Sequence, residues 1–242
     1  MNKEVEFLKR VVINASKLIT EEFEINAKDE YGDLVTDFDY EVEKFIIGEI
    51  KKEYPGFDIV SEEFNSKGNL TENCFVIDPI DGTINFANKL PEWVIQVACV
   101  ISGEVVAAAI YAPKLNELYL ADESGAYLNG KKIMVNKLPT KNCLYQIDGK
   151  SRARAIIRMY AYTRSFRNVG CAGIGYAYVA AGRFAGMIFR NETAWDYEPG
   201  MYIAKQAGAH VISKKGCYIA ANTKEFAEIL EENAVFKDGD DK

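Results

Sequence analysis

The segment that most constrains this chain is Asp78-Pro79-Ile80-Asp81-Gly82-Thr83, which follows the apolar run Cys74 to Ile77. Four apolar residues in a row fit a buried strand. An aspartate leaving that strand, then proline, then a second aspartate three residues on, can turn both carboxylates toward one point. Carboxylates so placed repel unless a cation lies between them or one is protonated. All-oxygen donors favour magnesium, manganese or calcium over softer metals. Gly82 permits close backbone approach, and if a helix opens there its amide and that of Thr83 face an anion. The plain alternative is an Asp-Pro/Asp-Gly turn.

Other acidic segments make the case cumulative. Ser61-Glu62-Glu63 follows an apolar stretch, Phe57 to Val60, and can bring a carboxylate to the same sheet edge. Trp195-Asp196 precedes Pro199-Gly200, where Asp196 reads as a metal ligand or merely a helix cap. The Asp33/Thr36/Asp39 stretch adds carboxylates and a hydroxyl, with Asp39 at an expected helix N-cap. The central string also resembles the Asp-x-Asp-Gly-Thr of haloacid-dehalogenase-type phosphatases. Here two residues separate the aspartates and proline stands where that nucleophile would lie, so a phosphoaspartate route is rejected.

Composition removes several classes. With 242 residues, 48% hydrophobic and 27% charged, the chain is globular and long enough to bury a core without staples. Its five cysteines, at 74, 99, 143, 171 and 217, form no Cys-x-x-Cys pair, which predicts reduced thiols. No signal peptide or span-length apolar run is present, so a cytoplasmic protein without membrane contact is expected. The net charge of −7 leaves Arg152, Arg154, Arg158, Arg164 and Arg167 as a loose basic stretch, too sparse for a nucleic-acid footprint. A single histidine, His210, reads as structural, and without a second one no Ser-His or Cys-His machinery is at hand. The run Gly170, Gly173, Gly175 and Gly182 lacks the spacing of a dinucleotide loop.

Periodicity predicts helices over 3–23, 39–54, 153–162, 174–181, 199–207 and 223–232, the fifth opened by Pro199. Strands are predicted over 57–60, 74–77, 94–101, 105–111, 117–121, 144–148, 184–189, 211–212 and 218–220. Ser102-Gly103 and Asn129-Gly130 read as hairpin turns. A subdomain boundary is expected near Pro139-Thr140, giving an N-terminal α+β unit (1–139) with most metal ligands and a C-terminal α/β unit (140–242) with Asp196 and substrate contacts.

Glu62-Glu63, Asp78-Pro79-Ile80-Asp81-Gly82-Thr83 and Trp195-Asp196-x-x-Pro199-Gly200 stand in the order and approximate spacing of the inositol monophosphatase family. Asp33-Leu34-Val35-Thr36-x-x-Asp39 also looks like that family's N-terminal segment, and the resemblance runs to about residue 220. It implies a layered αβαβα sugar-phosphatase fold, with an antiparallel sheet in the N-terminal half and an α/β C-terminal half. It implies that Glu62, Asp78 and the Ile80 carbonyl hold one magnesium, that Asp78, Asp81 and Asp196 hold a second, and that Glu62 serves a third through waters. Manganese would substitute. Thr83, paired with Asp39, would orient a water held on the metal for direct attack on the phosphate, whose seat is the amides of Gly82 and Thr83. Ala172 would lie by the sugar, Lys28 beside the site, and Arg190 would meet a second anionic group. Lithium inhibition and a homodimer are implied too.

Departures bear on substrate. Phe189 stands where inositol-specific relatives place a glutamate, and Glu198 where many have alanine. The expected activity is hydrolysis of a small phosphate monoester such as inositol 1-phosphate. The alternatives are fructose 1,6-bisphosphate, 3′-phosphoadenosine 5′-phosphate or NADP, and, in another class, a non-catalytic binder of metal or sugar phosphate.

Overall fold

Two amphipathic helices set the first layer of the structure, a computed structural model that describes residues 1–20, 25–27, 34–149, 156, 158–191 and 193–234. Helix α1 (Lys3–Ser16) is capped by Asn2, whose side chain accepts the Val5 amide at 2.8 Å. Helix α2 (Asp37–Glu53) buries Phe38, Val42, Ile46 and Ile50, one residue per turn. The first helix ends well before residue 23. Strands β1 (Ile25–Ala27) and β2 (Leu34–Thr36) form a small antiparallel pair ahead of α2.

A seven-stranded sheet then follows in chain order: β3 (Asp58–Ser61), β4 (Asn73–Asp81), β5 (Val94–Ile101), β6 (Glu104–Ala112), β7 (Glu117–Asp122), β8 (Gly125–Leu128) and β9 (Lys131–Ile133). The short helix α3 (Thr83–Ala87) interrupts it after β4. Both expected hairpin turns are present, with positive φ at Ser102 (55°), Gly103 (80°), Asn129 (48°) and Gly130 (78°), as two-residue turns matched to strand twist require. The sheet is not wholly antiparallel: β3 runs parallel to β4, Ile59 opposite Phe75. Residues 62–72 are long enough to carry the chain back to the starting end of the sheet, which a tight hairpin cannot do.

The second sheet has five strands in the order β11-β10-β12-β14-β13, from β10 (Leu144–Gly149), β11 (Ser165–Arg167), β12 (Gly186–Arg190), β13 (His210–Lys214) and β14 (Cys217–Ala221). It too is mixed, with β10 parallel to β11 and β12, and β14 antiparallel to its neighbours. Helices α4 (Ala172–Ala180) and α5 (Ala194–Gln206) lie between the sheets, and α6 (Lys224–Ala234) covers the far side. Of the helix expected over 153–162, residues 151–155 and 157 lie outside the described residues, and residues 156, 158 and 159 are helical.

Three apolar clusters define the layering. One joins α1 and α2 to Phe75, Ile77, Ile95, Val97 and Ala109 of the first sheet. The largest joins the other face, Cys74, Val76, Val94 and Ala98, to α4, α5 and Met187, Phe189 and Tyr218 of the second sheet. The third packs Tyr145, Ile147, Ile188 and Ile219 against Phe226 and Leu230 of α6. The result is the layered αβαβα arrangement. No helix among the described residues is long and apolar enough to cross a membrane.

Candidate metal centre

The acidic segment gains its geometry from a bulge. Asp78 pairs with Gln96 of β5 and Asp81 with Val94, so three steps along β4 oppose two along β5. In a regular strand, residues three apart point to opposite faces. The one extra residue, beside a proline that has no N–H to lose, returns both carboxylates to the same face. Ile80 is buried with the α1–α2 cluster.

Asp196 arrives from α5 on that side. Carboxylate oxygens of Asp78, Asp81 and Asp196 lie within 4.8 Å of one another. Glu62 falls outside this triad but lines the same cleft of ≈ 430 Å³, with Ser66, Gly82, Thr83, Asn191, Thr193 and Trp195 among its walls. A larger cavity of ≈ 570 Å³, between Ser16, Phe86, Trp93 and Lys114, is lined by no carboxylate, so size alone does not mark the site.

Two of these acids ride on helices that begin alike. Thr36 precedes α2 and Thr193 precedes α5, each with an aspartate three residues on. Asp39 accepts the amide and hydroxyl of Thr36, both at 2.6 Å, and Asp196 accepts the hydroxyl of Thr193. Asp39 is therefore the third helical residue, not the N-cap. Likewise α5 opens at Ala194, placing Pro199 inside the helix and Glu198 in its second turn. A threonine followed by an acid three residues later is the pattern of a capping box, and in both segments it was visible in the sequence.

The acids differ in how they are satisfied. Asp81 is held at the start of α4: Oδ2 accepts the Gly173 amide at 2.5 Å and the Cys171 thiol at 3.2 Å, and Oδ1 accepts the Ala172 amide at 3.2 Å. Asp78 is only 1% exposed; its Oδ1 accepts the Ile80 amide at 3.1 Å, while its buried Oδ2 has no hydrogen-bond partner. Burial, then the charges of Glu62, Asp81, Asp196 and Asp39, push the Asp78 carboxyl well above its ordinary value. Burial, opposed by the Thr36 bonds and aided by Glu62 and Glu63, raises Asp39 from 3.8 to about 7.

An orphaned buried oxygen amid like charges is costly unless a cation compensates it. The donor set is all oxygen, which suits a hard divalent ion. The residues therefore fit a metal.

Other expected site residues fall variously. Gly82 adopts a left-handed φ of 90°, and a Cβ there would stand 3.0 Å from the Glu92 carbonyl, so glycine is required. The Thr83 hydroxyl donates to the Ile80 carbonyl at 3.0 Å, not to Asp39, which accepts the amide and hydroxyl of Thr36. Ala172 lies buried behind Asp81. Alternation along β12 puts Arg190 on the face of Ile188, and its charge acts on the Cys217 thiol. Lys28 and Asp33 lie outside the described residues. His210 is exposed at the start of β13. Sequence reasoning missed Asn191 and Thr193, which line the cleft without any motif of their own.

A two-sheet α/β fold with a carboxylate-lined cleft beside its central helices is the class these features define. The model of the inositol monophosphatase family matches residues 1–236, and the chain belongs to that family. It is 36% identical over 207 residues to a Thermotoga maritima protein named fructose-1,6-bisphosphatase/inositol-1-monophosphatase, covering 84% of this chain and 80% of the relative. It is 34% identical over 194 residues to the Nus factor SuhB of Xylella fastidiosa, covering 76% and 70%. A solved Thermotoga maritima IMPase superposes with a TM-score of 0.83 at 31% identity, covering 96% of each chain.

Proposed function

We propose that the chain hydrolyses a small phosphate monoester at the acidic cleft, with magnesium ions held by Glu62, Asp78, the Ile80 carbonyl, Asp81 and Asp196. The observation that carries this is the buried, unpartnered Oδ2 of Asp78 inside a group of acids. Bound cations would supply positive charge against the phosphate and acidify water in the cleft.

The chain's own residues have distinct tasks. Asp78, whose carboxyl feels the charges of Glu62, Asp81 and Asp196, would hold magnesium together with them. Asp39, a buried carboxyl whose metal-free pKa is raised chiefly by burial, would work with Thr83 to orient the attacking water. The Thr83 hydroxyl, which rests on the Ile80 carbonyl, belongs to the segment whose Gly82 and Thr83 amides would seat the phosphate. Inositol 1-phosphate is the first substrate to try, and the Thermotoga relative's name adds fructose 1,6-bisphosphate. Lithium inhibition, a homodimer and a cytoplasmic location belong to the same proposal, as does a functional boundary near 139/140.

The Nus factor relatives support a second reading, a binding role on the same scaffold. One assay separates the two. Phosphate release from inositol 1-phosphate, fructose 1,6-bisphosphate, 3′-phosphoadenosine 5′-phosphate and NADP is measured with magnesium and with chelator. Magnesium-dependent release from at least one ester, lowered about 10³-fold or more in Asp78→Asn, is expected. No release from any ester by folded protein favours the binder.

A further inference from the structure

The glycines at 173 and 175, which form no dinucleotide loop, sit in the first turns of α4, where two fully buried glutamines meet them. Gln96 of β5 donates its Nε2 to Asp81 Oδ2 at 3.3 Å, and Gln146 of β10 donates its Nε2 to the Cys171 carbonyl at 3.1 Å. One glutamine comes from each sheet. A Cβ at Gly173 would stand 2.8 Å from Gln96 Oε1 and 2.9 Å from Asp81 Oδ2; at Gly175 it would stand 2.9 Å from the Gln146 amide. The glycines leave room for the amides.

We propose that Gln96 is a positioning residue for Asp81: its amide fixes which carboxylate oxygen is turned to the protein and which to a cation, while Gln146, Gly173 and Gly175 set the helix turn against which Asp81 rests. This rests on Asp81 serving as a metal ligand. Three donors converge on Oδ2, namely the Gly173 amide, the Cys171 thiol and Gln96. A carboxylate oxygen has about two lone-pair sites, so Oδ2 is committed to the protein, and Oδ1, which accepts the Ala172 amide at 3.2 Å, is the oxygen this assignment turns toward a metal.

The amide's direction is set by charge, because only the NH₂ end can face a carboxylate. Its other end, Gln96 Oε1, is buried without a hydrogen-bond partner. An apolar side chain of the same volume would not carry that cost. Outer partners of metal ligands commonly change metal affinity 10–100-fold when altered, so affinity and stability should part company at this position.

The test is calorimetric titration of the full, metal-free chain with Mn²⁺, alongside its melting temperature in chelator. Gln96→Met, close in volume and without the amide, should weaken Mn²⁺ binding about tenfold with an unchanged or higher melting temperature. Gln96→Leu carries the same expectation should the first variant not fold. Wild-type Mn²⁺ affinity in either folded variant overturns the proposal, as does a lower melting temperature with unaltered Mn²⁺ binding, the mark of a structural role. Wild-type protein that binds no Mn²⁺ overturns the metal site itself, a distinct failure visible before any variant is made.

Discussion

The two sides of the cleft are built on opposite principles. On the Asp81 side, backbone amides at the start of α4, a thiol and a glutamine amide converge on one carboxylate. That acid is satisfied by the protein alone. On the Glu62 and Asp39 side, burial with a smaller push from Glu62 and Glu63 raises the Asp39 carboxyl, and α2 steadies the segment from behind. Thr36 holds Asp39, and Glu43 of α2 accepts the Ser61 hydroxyl at 2.5 Å and the amides of Glu63 and Phe64 at 2.8 and 2.9 Å, tying down the loop that carries Glu62. Asp78, between them, belongs to neither arrangement. One side is preorganised without metal; on the other, burial and then neighbouring charge disfavour ionisation, a cost that a cation would relieve.

The largest expected effect is on the loop side. Glu43→Ala leaves the buried Ser61 hydroxyl and the partly buried amides of Glu63 and Phe64 without their acceptor and should cost about 2–4 kcal/mol, read by denaturant unfolding. It should also weaken whatever metal site Glu62 serves. A cost below about 1 kcal/mol would mean that the loop is held by other contacts.

Next comes a pair of charge-neutralising changes. From the sequence, Asp81→Asn looks like loss of charge with little change in shape. In the structure it also places an NH₂ where helix amides donate, so metal-free stability should fall by about 1–3 kcal/mol, roughly 2–4 °C per kcal/mol in melting temperature. Asp78→Asn removes a buried charge from among its like and should leave the metal-free melting temperature unchanged or higher. Equal losses in the two variants would erase the contrast.

A smaller effect follows from pH. The native state holds the Asp39 proton up to about 7, whereas the unfolded chain releases it near 3.8. Between those values the native state binds more protons, so metal-free stability falls as pH rises through that window. Asp78 is shifted in the same direction. The melting temperature in chelator should therefore drop from pH 5 to pH 7.5, and saturating magnesium should flatten the slope. A rise with pH would contradict the raised Asp39 and Asp78 carboxyls. Smallest of all, Cys171→Ser replaces one of several donors to Asp81 and should move stability by less than about 1 kcal/mol.

Much of the site was legible because its parts are local. Asp78 to Thr83 form one continuous segment, and Asp39 and Asp196 each follow a threonine by three residues. The hairpin turns were legible because two adjacent positive-φ residues leave few choices of side chain. What escaped depends on distance in sequence. The parallel pairing of β3 with β4 is set by the path of residues 62–72, and β11, only Ser165 to Arg167, has no apolar run to announce it. The face that Arg190 occupies could not be read from the sequence, because a strand's period of two decides it only once the register of β12 is known. The link from Gln96 to Asp81 is a contact between strands that no motif encodes.

The most direct measurement is an anomalous difference map from a crystal of the full chain soaked in Mn²⁺. The expected result is density among Asp78, Asp81 and Asp196, with a further peak toward Glu62. A map with no peak at these carboxylates, from protein that is folded and saturated with Mn²⁺ in the soak, would contradict the account of this cleft as a metal centre.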